Sequence, residues 1–218
     1  MKSCVVVTAA GRCTRMGCFK PMLPIAGQPA IVHLLHTYFS AGVSDAIVVT
    51  GYQHQKLIQL CAGLSPVSFV HNAAYMTTQM FDSICLGLAS VDAAIYDRIL
   101  ITPADIPLVT ENTIHTILHQ DGEIVFPSYQ LRRGHPLMIR RSILPAILQY
   151  AGDRGLKGAL ASLSIEPHYA VVNDLFILKD MDTPRDYTSL LQAFHASEVS
   201  QNVNAFEHVE LPKMVSTT

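Results

Sequence analysis

The 218-residue chain contains no CxxC pair, and its five cysteines (Cys4, Cys13, Cys18, Cys61, Cys85) are odd in number. That speaks against a disulfide framework and against a zinc site, while Cys13 and Cys18, in one loop, are candidates for oxidation. No apolar run approaches the ~18–20 residues that a membrane-crossing helix needs. The N-terminus shows no secretory pattern, since Lys2 leads directly into a short strand-like run. The cytoplasm is therefore the expected compartment, with no membrane partner. Basic charge is not in excess either: the formal net charge is −2, so no nucleic-acid partner is expected. Charged residues make up only 15% of the chain and apolar ones 50%, which predicts a substantial core rather than disorder. The length suits one large α/β domain.

The two best-known phosphate motifs are missing as well. Five residues, not four, separate Gly11 from Gly17, and Cys18 follows, so there is no Walker A loop. Cys13 stands where the second glycine of a dinucleotide fingerprint would be. What is present is an apolar run, Cys4-Val5-Val6-Val7, entering the small and dibasic stretch Thr8-Ala9-Ala10-Gly11-Arg12-Cys13-Thr14-Arg15-Met16-Gly17-Cys18-Phe19-Lys20. Small residues let the backbone approach a ligand closely, and freed peptide N–H groups attract anions. With Arg15 and Lys20 in the same loop, a phosphate site is the reading, against an ordinary βα turn with solvated cations.

Strand and helix signals alternate along the chain. Strands are predicted at Val5–Ala9, Ala46–Thr50, Pro66–Val70, Arg98–Thr102, Glu123–Pro127, Pro136–Ile139, Tyr169–Val172 and Leu175–Lys179. Helices are predicted at Pro29–Ser40, Gln53–Cys61, Met80–Ala89, Thr110 to about His119, Ser142–Tyr150, Leu156–Leu163 and from Pro184 onward. This βαβα rhythm predicts a three-layer α/β fold with a mostly parallel sheet. Ligands of such folds bind at the carboxyl ends of strands. Residues 1–194 are assigned to one domain and 195–218, polar and irregular in composition, to a flexible end or partner-docking arm.

A carboxylate follows the strand at 98–102. Asp105 lies between Pro103 and Pro107, which stiffen its loop; it is either a hard oxygen ligand for Mg²⁺ or a helix cap or turn former. Asp180 and Asp182 would share a face if their segment were a strand, and Asp182 could instead cap the helix that Pro184 starts. The pairs His33/His36 and His115/His119 have helical spacing but no Cys or carboxylate at ligand spacing, which gives them structural or solvent-facing roles.

The loop resembles the L-A-A-G-x-S-x-R-M-G-x-x-K signature of nucleotidyltransferases that activate small phosphorylated molecules, with Gly11, Arg15, Met16, Gly17 and Lys20 at matching spacing. Ala104-Asp105-Ile106-Pro107 resembles that family's G-D-x-P turn, and Asp180 through Tyr187 its D-I-D-T-P-E-D-Y segment. Arg132-Arg133-Gly134-His135-Pro136 resembles R-R-G-H-P, and Gly152 through Lys157 resembles G-D-x-G-x-R, with Lys157 for Arg. Together, over about residues 4–190, these resemble the molybdenum cofactor cytidylyltransferases of the MobA-like nucleotidyltransferase family. The resemblance implies a Rossmann-like nucleotidyltransferase fold and a Mg²⁺-dependent reaction in which a terminal phosphate of the pterin cofactor attacks the α-phosphorus of CTP. It implies catalytic Arg15, Lys20 and Asp105, and nucleotide contacts from Ala9, Ala10, Gly11, Arg12, Arg15, Lys20 and Ser83. It further implies acceptor contacts from Arg133, His135, Asp153 and Lys157, and metal ligation by Asp105 and Asp182.

Ala10, where related guanylyltransferases carry Gly, favours CTP over a purine nucleotide. Two positions depart from the pattern: Cys13 replaces a serine, and Gln79-Met80-Phe81-Asp82-Ser83 replaces G-M-S-x-S. Phe81 either stacks on a ring or fills the core. Two other functions stay open, the same chemistry on another acceptor such as phosphocholine or a sugar phosphate, and a non-catalytic carrier handing the finished cofactor to a molybdenum hydroxylase.

Overall fold

The computed structural model describes residues 2–64 and 66–207, with side chains through 199. Its centre is an eight-stranded sheet. The strands are β1 (Lys2–Ala9), β4 (Asp45–Thr50), β5 (Val67–His71), β6 (Tyr96–Pro103), β7 (Ile124–Tyr129), β8 (Arg132–Arg133), β9 (Leu137–Arg140) and β10 (His168–Val171). A two-stranded hairpin, β2 (Pro24–Ile25) and β3 (Gln28–Pro29), stands apart. The sheet order is β10-β7-β9-β6-β1-β4-β5, with β8 paired to β7. β5, β4, β1 and β6 are mutually parallel, and β9 runs antiparallel between β6 and β7. The helices are α1 (Ala30–Ser40), α2 (His54–Leu60), α3 (Met80–Ala89), α4 (Glu111–Leu118), α5 (Leu144–Leu148), α6 (Gly155–Ser162) and α7 (Pro184–Glu207).

The apolar run at β1 is continuous because both of its faces are buried. Val5, Val7 and Ala9 point into one cluster with Leu34, Leu35 and Ile114 of α1 and α4. Cys4 and Val6 point into the opposite cluster with Ile84, Leu88 and Ile147 of α3 and α5. The strand period of two thus divides one run between two helical layers. Three layers and a mostly parallel sheet are the architecture expected from the sequence.

Leu175–Leu178 differs from expectation: it is a 3-10 turn, not a strand. The cause is the buried Asp174 carboxylate, which accepts from the Phe176 N–H (2.9 Å), the Thr110 N–H (2.9 Å) and the hydroxyls of Thr110 and Thr113 (2.9 and 2.8 Å). Captured by Asp174, the Phe176 N–H is withdrawn from any strand ladder. The same carboxylate fastens the start of α4 to this turn. The last helix also runs past Phe194, where the expected domain ended, to Glu207; the remainder of the predicted tail, 208–218, lies outside the described residues.

A third apolar cluster sits beneath the loops. Met16, Ile25, Leu108, Phe176, Met181 and Leu190 are buried together, with Tyr187 and Phe194 of α7 packed against them. Burial of Met16 and Met181 anchors the loop after β1 and the segment before α7 to one another. No helix among the described residues is long and apolar enough to cross a membrane.

Candidate active site

β1 and β6 lie side by side, so the loops leaving their carboxyl ends emerge together. The Ala104 N–H donates to the Thr8 carbonyl (3.0 Å), holding Asp105 beside the dibasic loop. That loop turns with positive φ at Cys13 (55°) and Gly17 (72°), and the Met16 N–H closes on the Cys13 carbonyl (3.1 Å). At Gly17 the left-handed backbone suits a residue without Cβ. Cys13 adopts it with a side chain, whose thiol lies 3.7 Å from the Gly11 carbonyl. Burial pushes that thiol's pKa up, so it is a poor nucleophile.

The Met181 N–H donates to the Asp105 carbonyl (3.0 Å), which brings the segment before α7 into the same place. Asp182 is neither in a strand nor the helix cap. The cap is Thr183, whose N–H and hydroxyl bond Asp186 (2.9 and 2.7 Å) while the Asp186 N–H returns to the Thr183 hydroxyl (3.2 Å). Asp182 is thereby free to face the loop. The Lys20 ammonium donates to Asp182 Oδ1 (2.6 Å) and Asp105 Oδ2 (3.1 Å), and Arg15 reaches Asp182 Oδ2 at 2.7 Å. Burial alone would lower the Lys20 pKa, but its bond to Asp182 and the charge of Asp105 outweigh that and raise it. The hydrogen bond from Lys20 lowers the Asp182 pKa despite partial burial. Asp180 stands nearby and is raised, first by burial and then by the charges of Asp182 and Asp105.

Arg15, Lys20, Asp105 and Asp182 lie on a cavity of about 280 Å³ that is also lined by Ala9, Ala10, Gly11 and Ser83. Ser83 is buried on α3 and accepts from Asn72 Nδ2 at 3.1 Å. The departure at 79–83 has a structural account: Gln79 caps α3, and the Gln79 N–H donates to Asp82 Oδ2 at 2.7 Å, so a capping box replaces the glycine and serine. Phe81, in the first turn of α3, is half-buried against the core and packs edge-on to Tyr150, 6.1 Å between centroids.

A second cavity, about 470 Å³ and more apolar, is lined by Phe126, Arg133, His135, Leu156 and Lys157. It shares Thr8, Met80 and Pro103 with the first, so the two adjoin. Arg133 lies over the Phe126 ring, 5.2 Å from its centroid. Gly134 must lack a side chain, because a Cβ there would stand 2.4 Å from the Ile177 carbonyl oxygen. Burial lowers the His135 pKa, which keeps the imidazole neutral.

Two sequence candidates are not brought to either cavity. Arg12 and Asp153 are exposed and line neither one. Tyr75 and Thr78, in the loop after β5, line the first cavity and were not singled out from the sequence. Their signal was topological: β5 is parallel to β4 and β1, so its carboxyl end opens on the same side. Neither histidine pair lines either cavity, and His36, His115 and His119 are exposed. The rings of His115 and His119 stack at 4.1 Å on α4, and His33 contacts Gln28 (3.3 Å) and the Phe194 ring.

Among the described residues no group of three or more His, Cys, Asp or Glu could hold a metal ion. Two hard carboxylates that converge on one cation, here the Lys20 ammonium, do fit Mg²⁺, which commonly takes one or two carboxylates and fills its other positions with phosphate oxygens and water.

The MobA-like NTP transferase domain matches residues 5–168. The chain is 29% identical over 192 residues to the molybdenum cofactor cytidylyltransferase of Escherichia coli K12, covering 87% of this chain and 95% of that one. It is also 29% identical over 120 residues to the bifunctional protein GlmU of Syntrophomonas wolfei, covering 54% of this chain but only 26% of GlmU. A nucleotidyl transferase of Methanothermobacter, Mth528, superposes with a TM-score of 0.77 at 24% identity, over 90% of this chain and 99% of that one.

Proposed function

The chain belongs to the MobA-like NTP transferase family, and from that premise we propose that it transfers CMP from CTP to the terminal phosphate of a phosphorylated pterin, molybdopterin, releasing pyrophosphate. The observation that carries this reading is the convergence of Arg15, Lys20, Asp105 and Asp182 on one cavity that adjoins a more apolar one bearing Arg133 and Lys157. One cavity suits a nucleoside triphosphate. The other suits a flat ring carrying an anionic group. The relative of E. coli, matched over nearly its whole length, is named for the same transfer.

The chemistry is an in-line displacement between two polyanions, so the protein's work is positioning and charge neutralisation. Arg15 and Lys20 hold the triphosphate and the negative charge that builds on the departing pyrophosphate. Peptide N–H groups just past the end of β1, at Ala10 and Gly11, serve phosphate oxygens, and Ser83 supplies a hydroxyl at the nucleotide side. Arg133 and Lys157 hold the acceptor's phosphate, with neutral His135 beside them as a hydrogen-bonding group. Asp105 and Asp182 would hold Mg²⁺, which supplies Lewis-acid neutralisation of the triphosphate. The attacking phosphate oxygen is already ionised and needs no general base. The Ala10 methyl, on the wall of the first cavity, favours a pyrimidine by about 1–3 kcal/mol at most.

Pyrophosphate release, followed with CTP, GTP, ATP or UTP in the presence of Mg²⁺ and molybdopterin, tests the assignment. Release confined to CTP plus molybdopterin, and abolished in Asp105→Asn, supports it. Release with phosphocholine or a sugar phosphate instead would keep the transferase and replace the acceptor. Tight binding of the cytosine dinucleotide cofactor without any pyrophosphate would make the protein a carrier.

A further inference from the structure

We propose that Lys20 is an internal counter-cation that occupies the divalent metal's place between Asp105 and Asp182, so that metal enters only together with the nucleotide. The inference rests on the reading of those carboxylates given above. Its basis is geometric: one ammonium reaches Asp182 at 2.6 Å and Asp105 at 3.1 Å, and Arg15 takes the other oxygen of Asp182 at 2.7 Å. Lys20 is 8% exposed, packed in the loop rather than swaying in solvent.

A free divalent ion must displace this ammonium. The displaced charge would then sit buried and unpaired, which is costly. A metal–triphosphate complex brings the remedy with it, because the phosphates give Lys20 and Arg15 new anionic partners as the metal takes the carboxylates. The ion pairs exchange partners and no charge is left alone. Two consequences follow. Metal alone binds weakly, and one cation holds the two carboxylates near each other although like charges repel. Lys20 is thus a positioning residue for the metal as well as a contact for phosphate.

The test is titration of Mn²⁺ alone, read by the loss of its free-ion paramagnetic resonance signal, into wild type, Lys20→Met and Lys20→Arg. Lys20→Met is expected to bind Mn²⁺ about tenfold more tightly or better, the size of one charge-assisted hydrogen bond removed as competitor. Lys20→Arg, which keeps the charge, should stay near wild type. Equal or weaker Mn²⁺ binding by a folded Lys20→Met overturns the proposal. The same titration of wild type with CTP present separates the two readings: tight Mn²⁺ there with no gain in Lys20→Met rejects only the counter-cation. No Mn²⁺ binding even with CTP rejects the metal role of Asp105 and Asp182, and the counter-cation with it. Should Lys20→Met not fold, the wild-type Lys20 ammonium resonance decides. It must shift when Mg²⁺ and CTP are added together and stay in place with the same Mg²⁺ alone; a shift with Mg²⁺ alone overturns the proposal.

Discussion

Replacing Gly11 by alanine separates what the fold needs from what the nucleotide needs. A Cβ built at Gly11 meets no atom within 4 Å, and Gly11 is not among the residues of positive φ. The chain itself therefore gains nothing from glycine at this position. In a compatible backbone, Gly→Ala stabilises by about 0.4–1 kcal/mol, because the unfolded chain loses freedom. For a chain of this size that corresponds to a Tm unchanged or higher by about 1–4 °C. On the function proposed above the ligand bears the cost instead: Gly11 lines the first cavity, and that function requires peptide N–H groups there to come within about 3 Å of phosphate oxygens. Losing one charge-assisted hydrogen bond costs about 1.5–3 kcal/mol, or CTP affinity weaker by about 10- to 150-fold. Thermal unfolding and calorimetric titration of the same preparation read both halves. Undiminished CTP binding would refute the close approach of phosphate to this turn, and a clear fall in Tm would refute the account of the backbone.

Gly134→Ala should behave in the opposite way: its Cβ would press on the Ile177 carbonyl, a backbone atom that also accepts from the His135 N–H at 3.0 Å. A loss of about 2–4 kcal/mol is expected, seen as a lower urea midpoint, and an unshifted midpoint would show that this segment yields freely. For Asp182, the hydrogen bond from Lys20 sets the folded-state pKa below the usual 3.8, so its contribution is complete above that value and fades as pH falls through the lower one. Lys20, raised above 10.5, contributes below that value and loses its share as pH climbs through the higher one. The Tm difference between wild type and Asp182→Asn should accordingly shrink at the acid end, and a difference constant with pH would contradict the pairing.

The positions of the dibasic loop and of Asp105 were legible because both follow strands buried on two faces, which read as unbroken apolar runs with a polar break at the carboxyl end. Local composition there carries the information: small residues and cations in one loop, a proline-flanked acid in the other. Asp153 matched a motif as well as its neighbours did, and Arg12 stood beside the matching Gly11, yet both face solvent. Which way a loop residue points depends on the turn around it, such as the left-handed backbone at Cys13, and not on its identity. The apolar pattern of Leu175–Lys179 suits a strand or a 3-10 turn equally, and a carboxylate bonded to residues 110 and 113 decided between them. Sequence alone determined most of the strand-loop order, which charged and small residues each loop carries, and the layers of the fold. Only the tertiary structure decided that Lys20 and Asp182, 162 residues apart, meet at 2.6 Å, and that two cavities share the wall of Thr8, Met80 and Pro103. The reason is physical: charge pairs and shared cavities are made by packing, here the burial of Met16 with Met181, and that partnership is written in no local stretch of the chain.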